Sequence, residues 1–251
     1  MKQIIITINI FFLTIPVIAV DNDSLIIAAN EFYTNGEFEK AIEAYEEVLN
    51  TGYEAPELYY NLANAYYKSY KITIAILNFE RACLLAPNDE DINYNLELAR
   101  RYVVDKIDII PQIFITTWLN KIMRIFSTNV WAVLSIVSFL LFLLLFSLYL
   151  YINRLAIKKI SFWISILAFI VSASSFIFSY QQKENIINHN AAIIFSPSVT
   201  VKSSPDESGN DLFLIHEGTK VTVEDRVGDW KEIKLSDGKK GWLKATDIVL
   251  I

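Results

Sequence analysis

The sequence predicts a multidomain chain: an all-α repeat solenoid, a two-helix transmembrane hairpin and a small all-β barrel, in that order. Three observations carry this. A pattern of small and aromatic residues returns after 34 positions, two uncharged apolar runs stand side by side, and residues 191–251 switch to alternation with a period of two.

Bulk composition narrows the function classes. Apolar residues make up 53% of the 251-residue chain and mean hydropathy is +0.34, high for a soluble protein. Residues 22–104 are ordinary in hydropathy and acidic, with 14 Asp/Glu against 6 Lys/Arg, a net of −8. Such a domain repels nucleic acid rather than gathering it. One cysteine excludes an internal disulfide, and with two histidines it leaves no zinc ligand set.

Residues 1–19 read as a secretory signal: Lys2, an apolar run from Ile4 to Ile18, then Ala19 at the cut. The competing reading is an uncleaved anchor, but Thr7, Asn9 and Pro16 interrupt the apolar core.

The repeat is visible residue by residue. Ala41-Ile42-Glu43-Ala44-Tyr45-Glu46 returns as Ala75-Ile76-Leu77-Asn78-Phe79-Glu80, with small residues at Ala29 and Ala63 holding the same 34-residue spacing. Small residues are required where paired helices cross closely, and Leu25, Phe32, Phe38, Tyr45 and Val48 fill the gaps around them. Gly36 supplies the turn in the first unit. In the second unit Tyr70-Lys71 stands in its place, so an altered turn is expected there. A third unit begins near Glu90, but Arg100 occupies an aromatic position, and residues 90–104 read as a capping helix. Two repeats and a cap bury too little by themselves, so the following segment or a partner is expected to complete the packing.

These residues resemble the tetratricopeptide family over two repeats. The resemblance implies a concave groove for protein partners, carried onto Ile26, Asn30 and Tyr33 in the first repeat and Tyr60, Asn64, Tyr67 and Lys68 in the second. For Tyr33 and Tyr67 the alternative is that they finish helix packing. Members of the family that grip a C-terminal carboxylate use a set of basic residues, of which only Lys68 has a counterpart. Cys83 reads as a small buried hydrophobe, having no basic neighbour or second thiol in sequence.

Residues 105–129 mix Ile113, Phe114, Trp118, Ile122 and Phe126 with Lys121 and Arg124, which suits an amphipathic connector after Pro111. A plain helix packed under the repeats fits equally. Residues 130–152 and 160–180 are the two spans, each near the 20 residues needed to cross roughly 30 Å of hydrocarbon. The intervening residues 153–159 carry Arg154, Lys158 and Lys159, which places that loop in the cytoplasm and both flanking domains outside, in a two-pass bacterial inner-membrane protein. Lys121, Arg124 and Lys183 on the outer flanks weaken the charge argument without reversing it. In the second span Ser161, Ser165, Ala168, Ser172, Ser175 and Ser179 fall at spacings of 4, 3, 4, 3 and 4, one stripe of small residues for close helix packing. Its partner is either the first span or another membrane protein.

In residues 191–251, Val199-Thr200-Val201, Val221-Thr222-Val223 and Trp230 to Leu235 read as strands of a small barrel of five or so. Turns fall at Glu217-Gly218, Gly228-Asp229 and Asp237-Gly238. With Gly241-Trp242-Leu243 these segments resemble a bacterial SH3-like domain, a resemblance that implies binding of cell-wall peptides or proteins. Trp230 and Trp242 are its candidate contacts, with core packing as the alternative. The loop from Asp206 to Asp211 has oxygen ligands at alternate places but lacks the closing glutamate of a calcium loop, so it reads as solvated.

No catalytic constellation stands out. His189 and His216 lie apart, and no serine or cysteine has a base at motif spacing. No catalytic residue, metal or cofactor is expected, and the chain reads as a non-enzymatic, membrane-anchored scaffold. The alternative is an envelope anchor or sensor that binds peptidoglycan. The order of parts, with Asn95-Leu96-Glu97-Leu98-Ala99-Arg100 and Val104-Asp105-Lys106-Ile107 leaving the repeats, is similar to the BatE-type proteins of the Bacteroides aerotolerance group. That resemblance implies partners with von Willebrand A domains, a MoxR-type ATPase reached through them, and a role in stress tolerance.

Overall fold

A computed structural model describes residues 22–107, 114–123, 125–187 and 190–251; residues 1–19, where a signal is expected, and His189 lie outside them. Four helices form two antiparallel pairs: α1 (Asn22–Thr34) with α2 (Phe38–Asn50), and α3 (Pro56–Lys68) with α4 (Ile72–Leu85). Pro56 starts α3 with the fixed φ that a first helical turn accepts. α5 (Glu90–Arg100) follows, its N-terminus capped by Asp89, whose carboxylate accepts the Asp91 and Ile92 N–H groups. Ala29, Ala41, Ala63 and Ala75 are fully buried where the helices cross, and Tyr45, Leu62, Ile76 and Phe79 fill the core between them. α5 stops at Arg100, earlier than the expected 104.

The turn of the second repeat is not altered. Gly36 at φ 79° and Tyr70 at φ 61° occupy equivalent left-handed positions. The hydrogen bonds match too: Gly36 N–H to the Tyr33 carbonyl and Glu37 N–H to Phe32, then Tyr70 N–H to Tyr67 and Lys71 N–H to Tyr66. Packing of α3 on α4 imposes the turn, and Tyr70, with its ring in solvent, bears the backbone strain.

After α6 (Phe114–Met123), α7 (Thr128–Tyr151) and α8 (Leu155–Ile187) form an antiparallel hairpin joined by residues 152–154. Both helices are long and apolar enough to cross a membrane. Most of their apolar surface is left exposed by the rest of the described chain. α8 begins at Leu155, so Lys158 and Lys159 sit on its first turns rather than in a loop.

Seven strands follow among the described residues: β1 (Ala191–Ile194), β2 (Ser198–Lys202), β3 (Asp211–His216), β4 (Lys220–Val227), β5 (Trp230–Lys234), β6 (Lys240–Lys244) and β7 (Ile248–Leu250). They pair antiparallel in one sheet ordered β3-β2-β6-β5-β4-β1-β7, which is open rather than a closed barrel. At its β1–β7 end Ile193, Phe195, Val249 and Ile251 pack against the repeat core.

The strained turn gives a test. Tyr70→Gly should raise the full chain's unfolding free energy by up to about 1 kcal/mol, since relief of roughly 1–2 kcal/mol is partly offset by glycine entropy. Tyr70→Val, β-branched at a left-handed position, should lower it by more than about 1 kcal/mol in the same denaturant titration.

Candidate functional site

The repeats present two faces, and each has a different fate. On the first helix of each unit, Asn30 and Asn64 anchor two equivalent polar bridges. Asn61 Nδ2 donates to Asn30 Oδ1 at 3.3 Å, and Asn95 Nδ2 donates to Asn64 Oδ1 at 3.4 Å. Both bonds span 31 residues, so the same amide bridge ties α1 to α3 and α3 to α5. Asn95 also donates to the Tyr60 hydroxyl at 2.7 Å, and the Tyr45 hydroxyl donates to Asn30 Oδ1 at 2.6 Å. Burial, and then the neighbouring Tyr33, push the Tyr45 hydroxyl up to about 12, which keeps its proton in place as a donor.

Of the residues expected in the groove, Asn30 and Lys68 are exposed, while Asn64, Tyr60 and Tyr67 are half-buried. Ile26, Tyr33, Tyr60 and Tyr67 all pack against the core, Tyr33 edge-on to Phe38 with centroids 5.4 Å apart. Tyr67 meets Tyr102 edge-on at 5.9 Å. Asn61 and Asn95 lie outside the groove positions carried over from the tetratricopeptide resemblance. Their signal was the 34-residue interval between them, the same as between Asn30 and Asn64.

The opposite face is taken by the β-domain. Glu80 of α4 is 4% exposed and receives two cations, Arg100 from α5 and Lys220 of β4 at 2.6 Å. A carboxylate so buried is costly unless paired, so its position depends on both partners. Around it the Thr73 hydroxyl donates to Glu217 at 2.7 Å, and Arg81 donates to the Leu250 carbonyl at 3.2 Å. Asp105, in the segment leaving α5, accepts the His216 N–H and the Thr219 hydroxyl, both at 2.7 Å, and its other oxygen lies 2.9 Å from His216 Nδ1. Burial would raise the Asp105 carboxyl. The hydrogen bonds from the His216 ring, Thr219 and the His216 N–H outweigh it and hold the group below the ordinary carboxylate range. Gly218 enters this seam at φ 80°, where an added Cβ would lie 3.0 Å from Val103 and 3.3 Å from Ile76.

Trp230 and Trp242 do not pack the β core. Along β5 and β6 the buried positions are Ile233, Gly241 and Leu243, so the alternating Trp230, Glu232, Trp242 and Lys244 occupy the other face. Lys244 Nζ stands 5.9 Å over the Trp230 ring. In the Asp206 loop, the carboxylate accepts the Ser208 N–H at 2.8 Å and hydroxyl at 2.6 Å, a local turn bond. Among the described residues no group of three His, Cys, Asp or Glu is placed to hold a metal. Cys83 is half-buried, with Sγ 3.3 Å from Asn93 Oδ1.

The serine stripe faces α7. Ser161, Ser165, Ala168, Ser172 and Ser175 are buried, and Ser179 is half-buried. The Ser135 and Ser172 hydroxyls donate reciprocally to each other's carbonyls at 3.0 and 2.9 Å, and Ser179 donates to the Thr128 carbonyl at 3.0 Å. Trp131 Nε1 donates to Met123 O at 2.9 Å, tying α6 to the top of the hairpin.

These surfaces define a helical-repeat protein with a docked β-domain on an apolar hairpin. Comparison with family models agrees: residues 29–69 match the TPR repeat, and residues 197–248 match the bacterial SH3 domain. Both are interaction modules. No curated protein matches the chain.

Two tests address the seam. Gly218→Ala should cost about 2 kcal/mol or more of stability, combining left-handed strain with the contact at Val103, as read by chemical unfolding of the full chain. Because the Asp105 carboxyl is depressed in the folded state, its contribution to docking is complete above its unfolded value of about 3.9 and is lost as pH falls through the folded value. Fluorescence energy transfer between dyes on the two domains should drop in that acid window. Asp105→Asn should give lower transfer at neutral pH and a weaker acid step.

Proposed function

We propose that the protein is a non-enzymatic, membrane-anchored scaffold whose repeat groove holds extended segments of partner proteins. The observation that carries this is the pair of amide bridges along α1, α3 and α5. They repeat at one interval, stand on the face opposite the docked β-domain, and include amide and tyrosine groups suited to main-chain recognition.

In this reading α7 and α8 span the inner membrane, and both folded domains lie together on its outer side. Support comes from the seam between the repeats and the sheet, which requires the two domains to share a side, and from the three cations at the hairpin turn. The groove residues Asn30, Tyr60, Asn64, Tyr67 and Lys68 contact the partner, while the serine stripe packs the hairpin. The arrangement suits a BatE-type member of an aerotolerance complex, its partners being membrane proteins with von Willebrand A domains and, through them, a MoxR-type ATPase.

A second reading rests on the outward-facing Trp230 and Trp242, which suit stacking on cell-wall saccharide or peptide. Photo-crosslinkers at Tyr60 and Asn64 of the full chain in native membranes, read by mass spectrometry, separate the two. The scaffold reading expects defined protein adducts that fall about tenfold in Asn95→Leu, the loss of roughly one hydrogen-bonding group. No protein adducts, with retention of the detergent-solubilised full chain on purified peptidoglycan, would replace it with the second.

A further inference from the structure

We propose that the turn of the apolar hairpin binds the headgroup of an anionic phospholipid; the proposal rests on the reading above that the hairpin crosses a membrane. Arg154, Lys158 and Lys159 crowd the last residue of the connector and the first turns of α8. From residue 109 to residue 183 the chain has no Asp or Glu, so neutralisation of these cations has to come from outside the hairpin. The opposite end charges of α7 and α8 meet here and offset one another, which leaves the side chains as the source of the positive field.

A concave site is present beside them. A cavity of about 230 Å³ is lined by Tyr149, Leu155, Lys158, Lys159, Phe162 and Trp163. Lys158 Nζ stands 5.2 Å over the Tyr149 ring, so one cation is held at the cavity wall rather than free in solvent. The volume is below that of a drug-sized pocket, which suits a headgroup and not a whole lipid. Leu155 and Trp163 are exposed at 75% and 69%, giving acyl chains an apolar path down from the rim. This is the reason to assign a lipid rather than free phosphate, which would leave that surface uncovered. A zwitterionic lipid carries its own cation to the same site and gains less. Each cation near an anionic surface contributes on the order of fivefold in affinity.

The test uses the full chain in phosphatidylcholine vesicles doped, at equal mole fraction, with brominated phosphatidylglycerol or brominated phosphatidylcholine. Fluorescence of Trp163 is taken by difference from Trp163→Phe. Phosphatidylglycerol should quench Trp163 at least about threefold more strongly, and added salt should reduce that ratio. R154Q/K158Q/K159Q should bring it near one, and the conservative R154K/K158R/K159R should restore it. Equal quenching by the two lipids overturns the proposal, as does a ratio that survives neutralisation or one abolished by millimolar inorganic phosphate. No quenching of Trp163 by either lipid overturns the membrane-spanning reading itself. If the neutralised chain fails to insert, the lipid ratio and its salt dependence in the unmodified chain still decide the matter.

Discussion

The buried carboxylate of Glu80 is the constraint on which the assembly rests. It lies on α4, inside the face that the β-domain covers, and it draws one cation from the last turn of α5 and another from β4. Loss of either the cap or the sheet removes one of the two cations that compensate this buried carboxylate. An array this short buries little by repetition alone. What completes it is the β-domain, whose Ile193, Val249 and Ile251 extend the helical core.

That docking sets the roles of the remaining surfaces. The segment after α5 becomes a tie, with Val103 against Gly218 and Asp105 gathering donors from β3 and the following turn. Among the described residues the β-domain leaves the first-helix face of each repeat clear, and there the amide bridges recur at one register. The tryptophan face of the sheet lies on strands β5 and β6, away from the β1–β7 end that the helices cover.

Several features were legible because they depend on local rules. The alanine positions, the strand alternation and the glycine turns each report short-range sterics, and the structure has them where the pattern indicated. The Tyr70 turn misled because propensity favours glycine at a left-handed position, yet packing of α3 on α4 outweighs a strain of roughly 1–2 kcal/mol. The tryptophans were ambiguous for another reason. Alternation assigns residues to two faces but does not say which face is the core, and Gly241 and Leu243 settle it only once the strands are paired. The serine stripe likewise named a packing face without its partner; α7 supplies that partner through the Ser135–Ser172 exchange.

By itself the sequence determined the order and kind of the parts: helical repeats, two apolar helices and a small β-domain, each written in a periodicity that one strand or helix already obeys. The tertiary structure alone decided that the repeats and the sheet are one unit, that Glu80, Asp105 and Gly218 hold it, and that Asn61 and Asn95 complete the amide bridges. The reason is separation along the chain. Glu80 meets Lys220 across 140 residues and Asp105 meets His216 across 111, and no local pattern can encode a contact whose two halves are read so far apart.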